Sequence, residues 1–206
     1  AVAMTALVHL ANNLFKISLL WKSVSKKVFI GFAPWAIPGA LLGAFLFGKL
    51  LELPHWVFSS SWQVRPLSFV IGILMVSFTI WEFTPKAKGF SWKSKALAIG
   101  GLLSGFFGGL SGHQGALRSM FLRKAALSPA GFVATGTSVA VLVDISRIPI
   151  YLSRWSSQMY DATAVVLATL SAMSGALIGR YLLKKITWSV LQWLVGTFIF
   201  LTGVGL

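Results

Sequence analysis

Five positions that can bind an anion lie within one glycine-rich stretch. They are Ser111, Gly112, His113, Gln114 and Arg118, and they follow a run that contains Gly105, Gly108 and Gly109. Glycine at this density weakens a helix and permits positive φ angles. An oxyanion site needs polar donors beside exposed backbone N–H groups, and the start of a half-helix supplies such groups. Ser111 would cap that start here. We predict a broken helix or re-entrant hairpin whose tip binds substrate. The alternatives are a closely packed glycine-rich helix and a turn histidine bonded to backbone.

A second group of ionisable residues lies in two apolar segments. Asp144 and Arg147 are three residues apart and therefore share a helical face. Asn13 and Lys16 repeat this polar–x–x–cation pattern, and His9 lies on the same stripe. Charges at membrane depth usually face a bundle interior or a wet pathway. We predict that Asn13, Lys16 and Arg147 bind substrate, while Asp144 and His9 tune the site or carry a coupling proton.

Each assignment has a structural alternative. Asp144 and Arg147 could form an ion pair that only locks two helices together, and Lys16 could extend to the membrane interface. Three hydroxyl residues are assigned to the surroundings of the site: Thr135, Thr137 and Ser138. Hydroxyls of this kind also bond back to the carbonyls of their own helix.

These residues belong to a chain that is too apolar for a soluble domain. Of its 206 residues, 56% are hydrophobic and 11% are charged, which is roughly half the charged fraction of a soluble domain. Runs of about 20 apolar residues match the thickness of a bilayer. The sequence predicts an all-α, polytopic membrane protein whose partner is the lipid bilayer. The net charge of +14 does not indicate nucleic-acid binding, because the basic residues fall in short loops between spans.

Six spans and one hairpin account for the whole chain. We predict spans at 2–21, 28–50, 66–83, 130–152, 160–183 and 187–206, a hairpin at 96–127, and a helix start at Ser128-Pro129. Residues 1–84 would form a first repeat, 85–95 a basic connector and 96–206 a second repeat.

The distribution of basic residues favours a hairpin. If segment 96–127 enters and leaves on one side, thirteen of the sixteen basic residues outside the spans face that side. If the segment crosses, the basic residues divide equally. The positive-inside rule prefers the asymmetric arrangement. Loops 22–27, 85–95 and 184–186 are therefore predicted to be cytoplasmic.

An internal repeat relates the two halves. Asn13-Leu-Phe-Lys16 aligns with Asp144-Ile-Ser-Arg147 at an offset of 131, and Gly39-Ala-Leu-Leu-Gly43 aligns with Gly175-Ala-Leu-Ile-Gly179. In the predicted orientation the repeats are inverted, as in many secondary transporters. By this symmetry we expect a further hairpin, on the order of 35 residues, upstream of Ala1. The four glycines predict close helix packing.

Enzymatic and metal chemistry are disfavoured. Gly109-Leu-Ser111-Gly112 fits the motif around the serine of rhomboid proteases, but those enzymes take their histidine from a later span, and the only histidine beyond this motif is its neighbour, His113. The chain has no cysteine, and its three histidines give no span a pair of metal ligands. We predict no enzyme, no metal and no cofactor.

The sequence also resembles a known family over its whole length. Gly105–Gly115, Ala134-Thr-Gly-Thr-Ser138 and the two Gly-Ala-Leu-x-Gly segments resemble the TauE/SafE sulfite-exporter family. Many members carry three consecutive glycines in the hairpin, where this chain has Gly109-Leu-Ser-Gly-His-Gln-Gly115. The resemblance implies movement of sulfite, sulfonates or related organic anions across bacterial inner membranes.

Charge and resemblance lead to one functional prediction. We expect a secondary transporter of the bacterial inner membrane that exports a small anion, either sulfite or an organosulfonate. The absence of an ATP-binding motif leaves an ion gradient or the membrane potential as the energy source. The alternatives are a passive anion channel and a non-transporting assembly or scaffold subunit. A homo-oligomer is compatible with each of these functions.

Overall fold

A computed structural model describes the main part of the chain. The described residues are 2–59, 62–83, 95–112, 115–122, 125, 127–153, 161–182, 185, 187, 190, 193–194, 197, 200–201 and 204. The predicted ligands His113 and Gln114 lie outside them, as do nearly all of the basic connector 85–95 and most of the predicted span 187–206.

The described chain is built almost entirely of helices. They are α1 (Val2–Leu20), α2 (Lys26–Leu51), α3 (Pro66–Phe83), α4 (Lys95–Ser111), α5 (Gly115–Leu122), α6 (Pro129–Leu152) and α7 (Ala162–Leu182), with a 3₁₀ turn at Trp21–Ser23. Helices α2, α6 and α7 are long and apolar enough to cross a membrane. The prediction of a helical membrane protein is confirmed.

Helix α6 begins where the sequence predicted. Ser128 is its N-cap, and the Ser128 side chain accepts a hydrogen bond from Gly131 N at 3.1 Å. Pro129 follows at the first helical position, where its fixed φ favours the helix and its lack of an N–H group has no cost. This local pattern fixes the start of the helix that carries Asp144 and Arg147.

Helices α2 and α4 pack with their backbones in contact. A Cβ added to Gly39 would collide with the carbonyl of Leu102, and one added to Gly105 would collide with the carbonyl of Ala36. Gly43, Gly101 and Gly109 are blocked in the same way by backbone of the facing helix. Residue numbers rise together along the two helices, so they run parallel. Small residues at every fourth position permit this approach.

The chain reverses its direction after α4. Helix α4 ends at Ser111, Gly112 has a φ of 79°, and α5 begins at Gly115. The ring of Phe121 then lies against Gly100 near the start of α4. Glycine adopts this positive φ without the steric cost that a Cβ would bring. As a result, α5 returns beside α4 towards the end from which α4 started.

The starts of α2, α4 and α6 lie at one end of the bundle. A Cβ on Gly31 would lie 3.0 Å from the Leu97 side chain, and one on Gly131 would lie 3.3 Å from Ser23 O. Ser25 N also donates to Thr135 Oγ1 at 2.9 Å. The 3₁₀ turn after α1 belongs to the same end, so α1 runs antiparallel to α6.

Two features differ from the sequence prediction. The connection after α2, predicted only as polar and aromatic, contains an antiparallel pair of strands, β1 (Trp56–Ser59) and β2 (Trp62–Val64). Gly175 and Gly179 were predicted to pack closely, but no described atom lies within 4 Å of a Cβ on either glycine. Among the described residues the predicted close packing is therefore not made, and both glycines instead line a groove that also contains Lys16.

Candidate functional site

Asp144 is the centre of a polar cluster between α1 and α6. Its side chain is fully buried, and its Oδ1 accepts from Arg147 Nε at 3.0 Å and from Arg147 Nη2 at 2.7 Å. Its Oδ2 lies 2.7 Å from His9 Nδ1 and accepts from Asn13 Nδ2 at 3.1 Å. The structure thus brings together four residues that the sequence placed on two facing stripes. One carboxylate joins both helices.

The carboxylate determines the tautomer of His9. Asn13 Nδ2 also lies 2.9 Å from His9 Nδ1, yet a ring nitrogen cannot donate and accept at once. An ionised carboxylate only accepts, so Nδ1 carries the proton that is donated to Asp144. The Asn13 amide then donates to Asp144 as well. The His9 side chain is 35% exposed, so His9 lies at the edge of this cluster, whereas Asp144 is fully buried.

Arg147 joins this cluster to the end of α4. Its Nη1 donates to Gly108 O at 2.8 Å, and Tyr151, one turn further along α6, donates its hydroxyl proton to Gly109 O. The last carbonyls of a helix lack partners within the helix and carry partial negative charge. Gly108 O also accepts from Gly112 N at 3.0 Å, so Arg147 adds a second donor to that carbonyl, and Tyr151 supplies a donor to Gly109 O. All three Arg147 nitrogens have partners in this arrangement.

Arg118 is in a different position, because part of its guanidinium is unsatisfied. Its Nη1 is buried and has no hydrogen-bond partner among the described residues. Its Nε faces α6 at Gly136, where a Cβ would approach to 3.3 Å. Lys16 repels Arg118, whereas Asp144 attracts it. Arg118 is thus a cation held among the helices with hydrogen-bonding capacity to spare.

Lys16 lies between this cluster and an open groove. With the Asn12 amide oriented to satisfy both neighbours, Asn12 accepts from Lys16 Nζ at 3.1 Å and donates to Ala172 O at 3.2 Å. Lys16 also lines a groove of about 410 Å³ between α1, α6 and α7. Its charge has no carboxylate partner within salt-bridge distance in the described chain. Lys16 and Arg118 are therefore two neighbouring positive charges, of which Arg118 is the one attracted by Asp144.

The predicted hydroxyl residues have structural partners. Thr135 accepts from Ser25 N, and Ser138 donates to Ala134 O at 2.9 Å. Thr137 is buried in α6. Ser111 was predicted to cap the helix after the glycine break, and this is wrong. The helix α4 extends through Ser111, so its hydroxyl donates back to Phe107 O at 2.9 Å and lies four residues before α5.

Gly112 contacts the site directly. Its positive φ turns the chain beside Arg147, and a Cβ there would lie 3.1 Å from Arg147 Nη1. The carbonyl partners Gly108 and Gly109 were missed by the sequence, since residue type gives no sign of which backbone oxygens accept a hydrogen bond from a side chain. Tyr151 carried such a sign, because it shares the helical face of Arg147 at i+4.

The arrangement favours binding of an anion over metal or acid–base chemistry. Arg147 pairs with Asp144, the charge of Asp144 also acts on Arg118, and Lys16 lies near Arg118. Within the described residues, no group of three histidine or acidic side chains could hold a metal ion. The buried Nη1 of Arg118 has no partner among the described residues and lies near the positive charge of Lys16. This position suits a small oxyanion, because charge-assisted hydrogen bonds to oxyanions are strong.

Comparison with known proteins identifies a family for the chain. The family model described as Sulfite exporter TauE/SafE matches residues 1–206, the whole chain. No curated protein and no solved structure matches the chain closely enough to be compared with it.

Proposed function

The chain belongs to the TauE/SafE sulfite exporter family of membrane transporters, and on that premise we propose that it exports sulfite, an organosulfonate or a related small oxyanion. The bilayer and a small-molecule substrate are its partners. We place it in a bacterial inner membrane, with the starts of α2, α4 and α6 on the cytoplasmic side, because the positive-inside rule assigns the basic loops to that side.

The unsatisfied Nη1 of Arg118 is the observation that supports this proposal most. A buried guanidinium donor without a partner carries a desolvation cost that a bound oxyanion would remove. Lys16 adds a second positive charge, and Asp144 is already engaged by Arg147, His9 and Asn13. The cargo oxyanion therefore binds at Arg118 and Lys16, with Ser111, Gly112, His113 and Gln114 supplying its remaining contacts.

Arg147 positions the site in this proposal. Its guanidinium holds Asp144 and the end of α4 at the same time. One of these two contacts must break before the Arg147 guanidinium can reach the cargo. Breaking and remaking the bond to Gly108 O would couple anion binding to movement of α4 against α6. Asp144 and His9 would carry a coupling proton between the two states.

The repeat supplies the moving parts. We propose that α4 and α5 form a re-entrant hairpin of the second repeat and that α1 to α3 belong to an inverted first repeat. The return of α5 along α4 and the contact between the aligned residues Asn13 and Asp144 support this. Alternating access would follow from one repeat rocking against the other.

Efflux from loaded proteoliposomes tests the proposal. Efflux of labelled sulfite and of a small organosulfonate would be followed with the membrane potential clamped at several values. Each measurement would be made with and without a pH difference across the membrane. A secondary transporter gives saturable efflux that accelerates under external counter-substrate. Flux that follows voltage without saturation indicates the channel, and equal flux with protein-free liposomes indicates the scaffold.

A further inference from the structure

Two neighbouring asparagines on α1 have partners on two different helices. The amide nitrogen of Asn13 donates to Asp144 Oδ2 on α6 at 3.1 Å. The amide nitrogen of Asn12 donates to Ala172 O on α7 at 3.2 Å. Successive side chains of an α-helix point about 100° apart, so each asparagine faces one of the two helices that pack on α1. Asn13 belongs to the polar cluster around Asp144, whereas Asn12 lies on the side of α7.

The neighbours of Asn12 determine which way its amide faces. Ala172 O can only accept a hydrogen bond, and Lys16 Nζ can only donate one. The amide therefore directs its nitrogen to Ala172 O and its oxygen to Lys16 Nζ, which is 3.1 Å away. The reverse orientation would place two acceptors together and two donors together. Asn12 thus holds the Lys16 ammonium and is itself anchored on α7.

A neutral acceptor holds Lys16 without cancelling its charge. Lys16 has no carboxylate within salt-bridge distance in the described part of the chain. An ammonium has three N–H donors, and the bond to Asn12 uses one of them. Lys16 can therefore donate to an oxyanion while Asn12 fixes its position. A carboxylate in place of the Asn12 amide would pair with Lys16 and compete with the anion.

The position of the Lys16 ammonium relative to Arg118 depends on α7. Lys16 lines the groove together with Ala172, and its charge acts on Arg118 of α5. The Nη1 of Arg118 is buried without a partner among the described residues. The anchor of Asn12 is a backbone atom of α7, so a shift of α7 along α1 would displace Asn12 and, with it, the second cation of the site.

We propose that Asn12 is a positioning residue for the anion, because it holds the Lys16 ammonium in place, leaves its charge intact and ties its position to α7. The inference rests on the proposed export of an oxyanion and assigns Asn12 a role at that same site. A donor that is already ordered binds a ligand more tightly, since less conformational entropy is lost on binding. The affinity for the anion would therefore change when α7 moves.

The Michaelis constant for efflux measures this positioning. Saturable efflux of labelled sulfite and of a small organosulfonate from proteoliposomes is compared between the unaltered protein and two Asn12 variants. Asn12→Asp should raise the Michaelis constant about tenfold or more, because the new carboxylate pairs with Lys16 in place of the anion. Asn12→Leu removes the acceptor and should raise the constant about threefold. Ser18→Asp adds the same negative charge at an exposed position of α1, where Ser18 donates to its own helix, and should leave the constant unchanged.

A second background shows whether Asn12 acts through Lys16. Lys16→Gln alone should raise the Michaelis constant, and adding Asn12→Leu to it should raise the constant no further, because the ammonium that Asn12 positions is already gone. A purely structural contact between α1 and α7 would behave differently. It would lower the melting temperature of the Asn12 variants in detergent and leave the Michaelis constant of the folded protein unchanged.

Two results would overturn the inference and leave the proposed function intact. In the first, the unaltered protein shows saturable efflux and both Asn12 variants keep its Michaelis constant. In the second, Asn12→Leu raises the constant by the same factor with and without Lys16→Gln, so that Asn12 does not act through Lys16. A lack of saturable efflux from the unaltered protein is a separate result. It contradicts the proposed export itself, and the inference that rests on it falls as well.

Discussion

Asn13 donates a hydrogen bond to Asp144, and the two residues are 131 positions apart, the same offset that aligns the sequences of α1 and α6. Equivalent residues of two repeats meet only close to the axis that relates them. Asn13 and Asp144 therefore mark the axis of the proposed inverted repeat, near the middle of α1 and α6. Divergence at this one position, amide against carboxylate, gives the cluster its single negative charge.

Removing that negative charge should destabilise the protein strongly. Asp144→Asn leaves Arg147 buried without a counter-charge, a change that costs about 3–5 kcal/mol when a buried pair is broken. Thermal unfolding in detergent measures the loss, and Ser146→Ala on the same helix serves as the control. The double variant Asp144→Leu with Arg147→Met should lose less than the sum of the two single changes. Additive losses would show that the two side chains do not act as a pair.

The phenol of Tyr151 should contribute modestly to stability. Tyr151→Phe keeps the ring against Phe47, whose centroid lies 5.0 Å away, and removes only the hydrogen bond to Gly109 O. Leaving that carbonyl unsatisfied costs about 1–3 kcal/mol. A lower melting temperature with unchanged helical content is expected. If Tyr151→Phe and the unaltered protein have the same melting temperature, the hydrogen bond from Tyr151 to the end of α4 does not contribute to stability.

Glycines in the hairpin region should differ sharply in their tolerance of a side chain. Gly105→Ala places a Cβ against the Ala36 carbonyl and should force α2 and α4 apart. Gly115→Ala places its Cβ where no described atom lies within 4 Å. Fluorescence-detected gel filtration after heating should show loss of folded protein for Gly105→Ala alone. Equal survival of the two variants would contradict backbone contact between α2 and α4.

Much of the helical layout followed from local signals. The apolar runs and the Ser128-Pro129 start placed α1, α2, α3, α6 and α7 within about two residues of their observed ends. Those signals depend on residues close together in sequence. The strand pair at 56–64 was not predicted, because a short pairing between aromatic residues has no clear period.

The site could be predicted only in part for the same reason. The stripe spacing identified His9, Asn13, Asp144 and Arg147, since each pair shares one helix face. The partners of the Arg147 nitrogens, and the approach of Arg118 to Lys16, depend on how α4 and α5 fold back beside α6. Ser111 was misassigned because the sequence does not show whether a helix ends before or after a glycine-flanked serine.

Substitution of Arg118 in the efflux assay tests the central claim most directly. Saturable sulfite or sulfonate efflux should fall for Arg118→Gln, through a Michaelis constant raised about tenfold or more, since a hydrogen bond to a charged group contributes about 1.5–3 kcal/mol. Arg118→Lys should retain part of the activity, and Arg65→Gln, an exposed charge outside the helices, should retain all of it. Normal efflux by well-folded Arg118→Gln would contradict the account, because the spare guanidinium would then have no part in binding the anion.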